Sequence, residues 1–346
     1  MPSRIAAIRV ALDAMYFTGT HIASRPLLGG IGAILMFHRV RPALPHAFQP
    51  NRFLEITPEF LDEVIAGVRS RGFEIVSMNE AMTRLASGRR DGPRFVVLTF
   101  DDATRDTLDH AWPVLEQARA PFTMYVASSF ASGTGSLWWM AVEDAIRDND
   151  TIHLDFGTDT FHARTATLTE KHDAYAAIVD AITETPGVST HVMRSLDRNY
   201  GIDAHAQCRA ECLEWEELRF MAKQDLVTIG AHTVSHPILT HLDETALTHE
   251  LTASRDTIER ELGIRPAHLA FPHGGPREAR PREFAAARDV GYASAVTTRT
   301  DVVRPGHASC RNELPRITVN GLFQHMRYLD VLLSGAPGAL YKAISR

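Results

Sequence analysis

The chain has 346 residues, of which 45% are hydrophobic and 23% are charged, and its formal net charge is −6. This length allows one large domain or two smaller ones, and the charged fraction is typical of a folded globular protein rather than a disordered one. The negative net charge excludes a general basic surface, so we expect no nucleic-acid partner.

The N-terminal segment, residues 1–30, has the apolar periodicity of a helix. The residues at this spacing are Ile5, Ile8, Leu12, Met15 and Tyr16. Arg9 and Asp13 interrupt the apolar run, so the segment has the pattern of neither a secretory signal nor a membrane span. Such a helix either rests on a membrane surface or packs on the protein's own body. The C-terminal segment, residues 321–346, presents the same two alternatives.

The absence of a secretory pattern also bears on location. Only three cysteines occur, and an odd number argues against a full disulfide framework. We therefore expect a cytoplasmic protein, and peripheral contact of the N-terminal helix with the inner face of the membrane is one of the two alternatives for that helix.

From residue 31 onward, short apolar runs alternate with helical patterns. The predicted strands are 32–37, 73–76, 94–100, 122–126, 226–229, 268–271, 292–296 and 314–319. The run 94–100, RFVVLTF, has apolar residues on both of its faces, as a strand of a sheet buried on both faces requires. Repeated strand–helix alternation predicts a parallel α/β architecture. A closed or slightly irregular barrel fits this pattern better than an open sheet.

Residues 133–214 interrupt the alternation, because they exceed any normal connection between a strand and a helix. Helical patterns at 138–148 and 169–183 indicate a largely helical insertion, which we expect to form a lid or a substrate wall. The insertion divides the barrel into a first part, 31–132, and a second part, 215–320.

Two adjacent carboxylates, Asp101 and Asp102, directly follow the predicted strand 94–100. Like charges held this close resist joint ionisation, and a cation beside them removes the conflict. The C-terminal ends of parallel strands are also where α/β enzymes place their active sites. A helix cap is the structural alternative for this pair.

Two histidines, His232 and His236, follow the predicted strand 226–229 within the segment GAHTVSHP. On a helical turn, a spacing of four puts both imidazoles on one face, where they can share a metal. Two histidines and one carboxylate make a catalytic metal site with open positions, and the second aspartate is then free to act as a base. This is the minimum apparatus for metal-assisted hydrolysis of an amide or an ester.

Three segments in this order, TFDDA, HTVSHP and AFPHGG, resemble the first signature motifs of the polysaccharide deacetylases, the NodB-homology family or carbohydrate esterase family four. The resemblance covers 31–320 apart from the insertion. It implies a distorted (β/α)7-type barrel that removes N-acetyl groups from N-acetylglucosamine-type residues and releases acetate. The glycan partner would be a chitooligosaccharide, an exopolysaccharide or a lipid-linked sugar. The implied cofactor is a divalent metal, zinc first, with cobalt, nickel and manganese as alternatives.

The resemblance also assigns roles to individual residues. It implies that Asp101 is the general base, and the metal ligands it implies are Asp102, His232 and His236. Its third motif corresponds to Pro272, His273 and Gly274, where the backbone N–H of His273 would help to bind the oxyanion.

Two positions depart from the family pattern. Ala270 stands where the third motif has an arginine that orients the base, and Arg316 stands where a late Leu-x-His motif has its general-acid histidine. We expect Arg316 to contact Asp101 and hold it ionised in place of the absent arginine. His38, at the end of the first barrel strand, is then our candidate for protonating the leaving amine. Some deacetylases of exopolysaccharide systems carry a similar aromatic–histidine pair there. A polar residue satisfied at a strand end is the alternative.

Two tryptophans, Trp138 and Trp139, open the insertion. Aromatic faces suit the apolar faces of pyranose rings, so paired tryptophans near an active site favour a sugar-stacking surface. A helix start anchored to the barrel is the alternative.

Three other functions fit part of these observations. The missing Leu-x-His histidine favours an inactive glycan-binding or scaffold protein on the same fold, although the metal set is complete. Some relatives on this fold hydrolyse cyclic imide or ureide C–N bonds. A non-haem iron oxygenase also uses two histidines and a carboxylate, but those enzymes usually have β-sandwich folds, which this pattern does not predict.

Overall fold

The computed structural model describes residues 2–88 and 92–344. Within them, eight parallel strands form one curled sheet. They are β1 (Gly32–Phe37), β2 (Glu74–Ile75), β3 (Phe95–Phe100), β4 (Phe122–Val126), β5 (Val227–Ala231), β6 (His268–Ala270), β7 (Ser294–Val296) and β8 (Ile317–Thr318). Seven of them follow one another in the order β7–β6–β5–β4–β3–β1–β8, and β2 pairs with the first residues of β3. This curled parallel sheet confirms the predicted distorted (β/α)7 fold.

The segment that leads into β8 joins the two ends of the sheet. Leu314 pairs with Val296 of β7, and β8 pairs with β1 through Ile317 opposite Leu35. Arg316 lies between these two pairings and is fully buried. The closing strand therefore delivers an arginine to the barrel interior.

The central strands are apolar on both faces, as the sequence predicted. Every residue of β1 and β3 is buried. Because side chains alternate along a strand, Ile34 and Val97 pack in one cluster with Tyr125, whereas Leu35 and Leu98 pack in another with the surrounding helices. The backbone of Gly230 lies close to the ring of Tyr125, since a Cβ on Gly230 would be only 2.4 Å from that ring.

Helices cover the outside of the sheet and form most of the remaining chain. In the described ranges the α-helices are Pro2–Phe17, Thr20–Leu28, Pro58–Ser70, Met78–Ser87, Trp112–Gln117, Ser128–Ala131, Trp138–Asp148, Leu168–Glu184, Val188–Tyr200, Ala204–Glu211, Trp215–Met221, Glu244–Leu262, Pro281–Val290, Met326–Leu333 and Ala336–Ile344. A π-helical turn, Thr107–Ala111, precedes the helix Trp112–Gln117. Two short strands, Arg39–Val40 and Glu55–Ile56, pair beside the barrel.

The insertion has a hydrophobic core of its own. Helices of the insertion pack around Ile152 and Leu154. These two residues belong to an antiparallel hairpin of Thr151–Asp155 with Thr160–Arg164, which the sequence analysis did not predict. The buried side chain of Arg39 ties the insertion to the barrel. Arg39 Nε donates to Asp106 Oδ2 at 2.5 Å, and its Nη2 donates to Glu211 near the end of the insertion.

The N-terminal helix packs along Met326–Leu333. Leu12 is buried against Tyr328 and Val331, and Met15 and Tyr16 pack beside it. The C-terminal part of the apolar face predicted from the sequence therefore contacts the protein's own body, whereas Ile8 of the same face is exposed. Within the described chain, no helix combines the length and hydropathy that crossing a bilayer requires. Residue 1 and residues 345–346 of the predicted terminal segments, and residues 89–91 of the first barrel part, lie outside the described residues.

Candidate functional site

The predicted site residues follow different strands of the barrel. His38 follows β1, Asp101 and Asp102 follow β3, His232 follows β5, and His273 comes soon after β6. Because the C-terminal ends of parallel strands meet at one edge of the sheet, these side chains come together there.

Asp102 and His232, together with His236 from the loop after β5, form a compact set of potential metal ligands. Oδ1 of Asp102 lies 3.5 Å from Nε2 of His232 and 3.5 Å from Nε2 of His236. Among the described residues, this is the one group of three or more histidine, cysteine or acidic side chains close enough to share an ion. Two ligands at about 2.0–2.1 Å from a tetrahedral zinc ion are about 3.4 Å apart, so the spacing fits a divalent metal.

The environment of Asp102 also fits a cation. Its Oδ1 is buried and accepts no hydrogen bond from a described residue, and leaving such an oxygen unmatched is costly. Burial, with the adjacent charge of Asp101 adding to it, raises the pKa of Asp102 to about 6. A metal ion at this position would remove both penalties.

A main-chain carbonyl fixes the proton of His232. Nδ1 of His232 lies 2.8 Å from the carbonyl oxygen of Ala270. A carbonyl oxygen can only accept, so Nδ1 carries the proton and Nε2 keeps its lone pair on the side of Asp102. Burial lowers the pKa of His232, which keeps the ring neutral and able to bind a metal.

The two histidines do not lie on a helical turn, so that part of the prediction is wrong. After β5 the chain forms an irregular loop in which Thr233 and His236 have φ values of 65° and 56°. Six non-glycine residues in the described chain have positive φ, and five of them lie in loops of this site. Besides these two they are Asp102, Ala103 and His273. Such backbone costs about 1–3 kcal/mol for each residue, so surrounding contacts must hold it in place.

Glu250, on the helix Glu244–Leu262, holds the histidine loop. Its Oε2 accepts hydrogen bonds from the backbone N–H groups of Val234, at 2.7 Å, and Ser235, at 3.0 Å. Its Oε1 accepts from the Ser235 hydroxyl at 2.6 Å. Glu250 is not among the residues predicted from the sequence, because it lies outside the motifs and no local pattern marks it.

We expect Glu250→Ala to weaken metal binding by about 10–100-fold, because the loop that presents His236 loses three hydrogen bonds. Equilibrium competition with a chelating dye measures this change. Glu259→Ala is the matched control, since Glu259 lies on the same helix but pairs with Arg265 at the surface. Equal metal affinity in the Glu250 and Glu259 variants would contradict a positioning role for Glu250.

The second aspartate, Asp101, is paired with the buried arginine of the closing strand. Nη1 and Nη2 of Arg316 donate to Oδ1 and Oδ2 of Asp101, both at 2.7 Å. Arg316 also donates from Nε to the carbonyl of Thr297 at 2.9 Å and from Nη1 to the Thr99 hydroxyl at 3.2 Å. Burial would raise the pKa of Asp101, but the charge and hydrogen bonds of Arg316, with the neighbouring histidines His232 and His38 adding to them, outweigh burial and lower the pKa to about 2. Asp101 is therefore ionised at neutral pH.

His38 lies on the other side of the same carboxylate. Its Nε2 is 3.9 Å from Oδ2 of Asp101, and its side chain is 16% exposed. Burial lowers the pKa of His38, although the negative charges of Asp101 and Asp102 oppose this change. The resting imidazole is therefore neutral at neutral pH.

The turn after β6 borders the triad. The ring of His273 lies 5.1 Å from the ring of His236, centroid to centroid. Gly274 has a φ of 53° and donates its N–H to the carbonyl of Pro272 at 2.6 Å. The Thr298 hydroxyl donates to the carbonyl of His273 at 2.7 Å, which fixes the turn. The N–H of His273 makes no hydrogen bond to any described residue.

The two tryptophans have different surroundings. The ring of Trp139 lies 5.5 Å from that of His236, so Trp139 borders the candidate site. Trp138 meets Trp139 edge-on at 5.7 Å, with 89° between the ring planes, and packs on the core of the insertion. The two rings therefore do not form one flat stacking surface.

The sequence and the structure of this chain are similar to those of known proteins. The sequence profile of the polysaccharide deacetylase family matches residues 88–295, more than half of the chain. No curated protein sequence matches it. Among solved structures, Streptococcus pyogenes deacetylase PplD in complex with acetate is 19% identical and has a TM-score of 0.58. That alignment covers 88% of this chain and 98% of the other.

Two further structures are similar over most of their length. IcaB from Ammonifex degensii is 18% identical, with a TM-score of 0.53, and the alignment covers 89% of this chain and 98% of that one. A de-N-acetylase from Aggregatibacter actinomycetemcomitans is 14% identical, with a TM-score of 0.55 and coverage of 86% and 98%. At these identities the structures show the shared fold, and the profile match shows the family. The chain belongs to the polysaccharide deacetylase family.

Proposed function

We propose that the protein is a metal-dependent N-deacetylase that acts on N-acetylglucosamine-type residues of an oligosaccharide, a polysaccharide or a lipid-linked glycan and releases acetate. One arrangement carries this proposal. The triad of Asp102, His232 and His236 lies beside Asp101, which Arg316 holds ionised. We propose zinc as the metal, since imidazole and carboxylate donors at this spacing suit it, and cobalt, nickel and manganese are the alternatives.

Asp101 is proposed as the general base. A carboxylate with a pKa of about 2 is a weak base towards ordinary water. A divalent cation at the triad would supply the missing acidity by lowering the pKa of a bound water, and it would polarise the acetamide carbonyl. Arg316 donates to both oxygens of Asp101, so the carboxylate is ionised and fixed in its plane until it accepts the proton. The free N–H of His273 is proposed to bind the developing oxyanion.

The leaving amine needs a proton when the C–N bond breaks. His38 is a neutral imidazole at rest, so it must first gain a second proton before it can act as an acid towards the amine. Its Nε2 lies 3.9 Å from Oδ2 of Asp101, and we propose that it receives the proton that Asp101 has accepted and passes it to the amine nitrogen.

We expect His38→Gln to lower the kcat of acetate release by about 100-fold, because glutamine cannot carry a proton between these groups. Metal content should stay unchanged, since His38 is outside the triad. His241→Gln is the control for a nearby histidine outside the triad and the proton relay. A His38→Gln enzyme within a few-fold of the unmodified rate would show that another group protonates the amine.

The substrate itself is proposed from the walls of the site. Trp139 offers an aromatic ring beside His236, and a sugar ring stacked there would place its acetamide towards the triad. The insertion supplies this tryptophan, so we propose that the insertion is a substrate wall. The acetate bound to the similar deacetylase PplD is in keeping with acetate as the released product. We further propose a cytoplasmic enzyme that meets its glycan at the inner face of the membrane.

Acetate release from a panel of substrates tests the proposal. The panel contains chitooligosaccharides of increasing length and lipid-linked N-acetylhexosamines, each with and without a chelator and with zinc restored. We expect release that the chelator abolishes and zinc recovers. Zinc-restored enzyme that releases no acetate from the panel yet binds its glycans would favour the inactive glycan-binding alternative. Hydrolysis of cyclic imides or ureides instead would favour the second alternative.

A further inference from the structure

The two N-terminal helices leave an apolar surface exposed to solvent. Its large side chains are Val10, Phe17, Ile22 and Leu27, which are 68%, 76%, 68% and 85% exposed. Ala7 and Ala14 continue the same face of Pro2–Phe17, and both are exposed. This face points away from the side of the helix that packs on Met326–Leu333. Val10 and Phe17 are seven residues apart on one helix, and Ile22 and Leu27 lie on the next helix, so four large exposed apolar side chains fall within 18 residues of the chain. Such a concentration of exposed apolar side chains is typical of a contact surface.

The segment that carries these exposed apolar side chains has a net positive charge in its sequence. Residues 1–30 contain three arginines and one aspartate, although the whole chain has a net charge of −6. The aspartate, Asp13, is paired with Arg327 at 2.8 Å. The segment therefore carries an excess of positive charge in its sequence, and its Arg25 lines a cleft beside Ile22.

Two arginines share a cleft next to Ile22. The guanidinium carbons of Arg25 and Arg94 lie 5.2 Å and 4.7 Å from the centroid of the Phe73 ring. Neither arginine forms an ion pair with a carboxylate in residues 2–88 or 92–344. Nε of Arg25 is buried without a hydrogen-bond partner among those residues. Burial, together with the charge of Arg25, lowers the pKa of Arg94 to about 10.

The backbone leaves space for this pair of cations. Gly29 has no side chain, and a Cβ there would lie 2.5 Å from Nη1 of Arg94. The cleft is lined by Ile22, Arg25, Pro26, Gly30 and Arg94. An anion in this cleft would neutralise two close positive charges and would have apolar side chains on one side of it. A phosphate group joined to lipid chains has this chemistry.

We propose that the N-terminal face, which we define as Val10, Phe17, Ile22 and Leu27 with the cleft of Arg25 and Arg94, docks on the surface of an anionic phospholipid bilayer. The apolar side chains enter the boundary between headgroups and acyl chains, and the two arginines bind lipid phosphate. This contact uses the opposite side of the N-terminal helix from the periodic apolar residues that the sequence analysis identified.

Docking on this face would set the orientation of the enzyme. Gly29 and Arg94 precede β1 and β3, whereas Asp101 and Asp102 follow β3. The arginine cleft of the face therefore lies towards the N-terminal ends of the strands, and the candidate active site lies at their C-terminal ends. The docked protein would turn its site away from the bilayer, towards sugars that extend into the aqueous phase.

Vesicle flotation of the full chain tests this proposal without any need for catalytic activity. The vesicles are phosphatidylcholine alone or phosphatidylcholine with phosphatidylglycerol. We expect binding to the anionic vesicles that falls in high salt. Phe17→Glu with Leu27→Glu should lower partitioning by about 100-fold. Arg25→Gln with Arg94→Gln should lower it on anionic vesicles by about fivefold for each arginine removed.

The matched control is Phe220→Glu with Ile264→Glu, which changes two exposed apolar residues elsewhere on the surface. These variants should bind vesicles like the unmodified chain, and the melting temperature of every variant should be checked. No binding to anionic vesicles, or equal binding by the Phe17/Leu27 and control variants, would overturn the proposal. The proposal would also be overturned if the unmodified chain forms dimers and binds no vesicles, and if the Phe17→Glu and Leu27→Glu substitutions prevent that dimerisation. A second copy of the chain would then be the partner of this face.

Discussion

Replacing Arg316 with methionine is expected to lower the kcat of acetate release by about 1,000-fold, because Asp101 would lose both hydrogen bonds that keep it ionised and oriented. The same change leaves a buried carboxylate without a cation, which should cost about 3–5 kcal/mol of folding free energy. Thermal unfolding measures the second effect, and steady-state kinetics with metal analysis measures the first.

Arg316→Lys separates the two effects. Lysine keeps the positive charge and most of the stability, but it cannot donate two parallel hydrogen bonds, so we expect a kcat loss of about 100-fold. KM and metal content should change little, since Asp101 is neither a proposed ligand nor a sugar contact. A folded Arg316→Lys enzyme with normal kcat would contradict this account.

The proposed exchange of roles, in which Arg316 replaces the arginine that the family pattern has at position 270, can be tested by a rescue experiment. The side chain of Ala270 packs in the same cluster as Tyr125, and the guanidinium of Arg316 lies 5.8 Å from the Tyr125 ring. An arginine introduced by Ala270→Arg would therefore start close to the space that Arg316→Met vacates. We expect the double variant to recover about 10-fold of the lost kcat. No recovery in a well-folded double variant would count against an exchange of roles between these positions.

His236→Ala is expected to remove bound metal and to lower acetate release by about 1,000-fold, because two remaining ligands cannot hold a cation in a catalytic geometry. Metal content after dialysis, measured by mass spectrometry, and acetate release report the two effects. The fold should remain, since the ring contacts of His236 are with side chains in or beside the candidate site, namely His232, His273, Trp139 and Phe130.

The control for this prediction is His249→Ala, which removes an exposed histidine of the helix Glu244–Leu262 that is not among the proposed site residues. It should keep both metal and activity. Full activity of His236→Ala at low metal concentration would show that the triad is not the catalytic metal site. Loss of activity with normal metal content would assign His236 a different role.

Much of the fold could be predicted because its signals are local. Strands β1 and β3 are continuous apolar runs, and parallel strand–helix alternation fixes which ends of the strands meet. That rule alone predicted that Asp102 and the two histidines would come together. The hairpin Thr151–Asp155 was missed although its side chains alternate between exposed and buried, because two stronger helical patterns flank it.

The shape of the histidine loop could not be predicted, because distant contacts determine it. A spacing of four fits a helical turn, but Glu250 binds the backbone of Val234 and Ser235 and holds an irregular loop instead. Nothing near His236 in the sequence encodes that contact. The N-terminal helix was similarly ambiguous, since periodicity shows that a helix has an apolar face but not what that face contacts.

The hydrogen bond from His232 to the carbonyl of Ala270 has a consequence for how this site can vary. The acceptor belongs to the main chain, so any side chain at position 270 leaves the proton of His232 where it is. In the family pattern, residue 270 thus has two roles: its backbone carbonyl orients the metal-binding histidine, and its arginine side chain orients the catalytic carboxylate. A substitution at residue 270 can remove the second role without affecting the first. A lineage can relocate the arginine to another strand through intermediates that never lose the metal site.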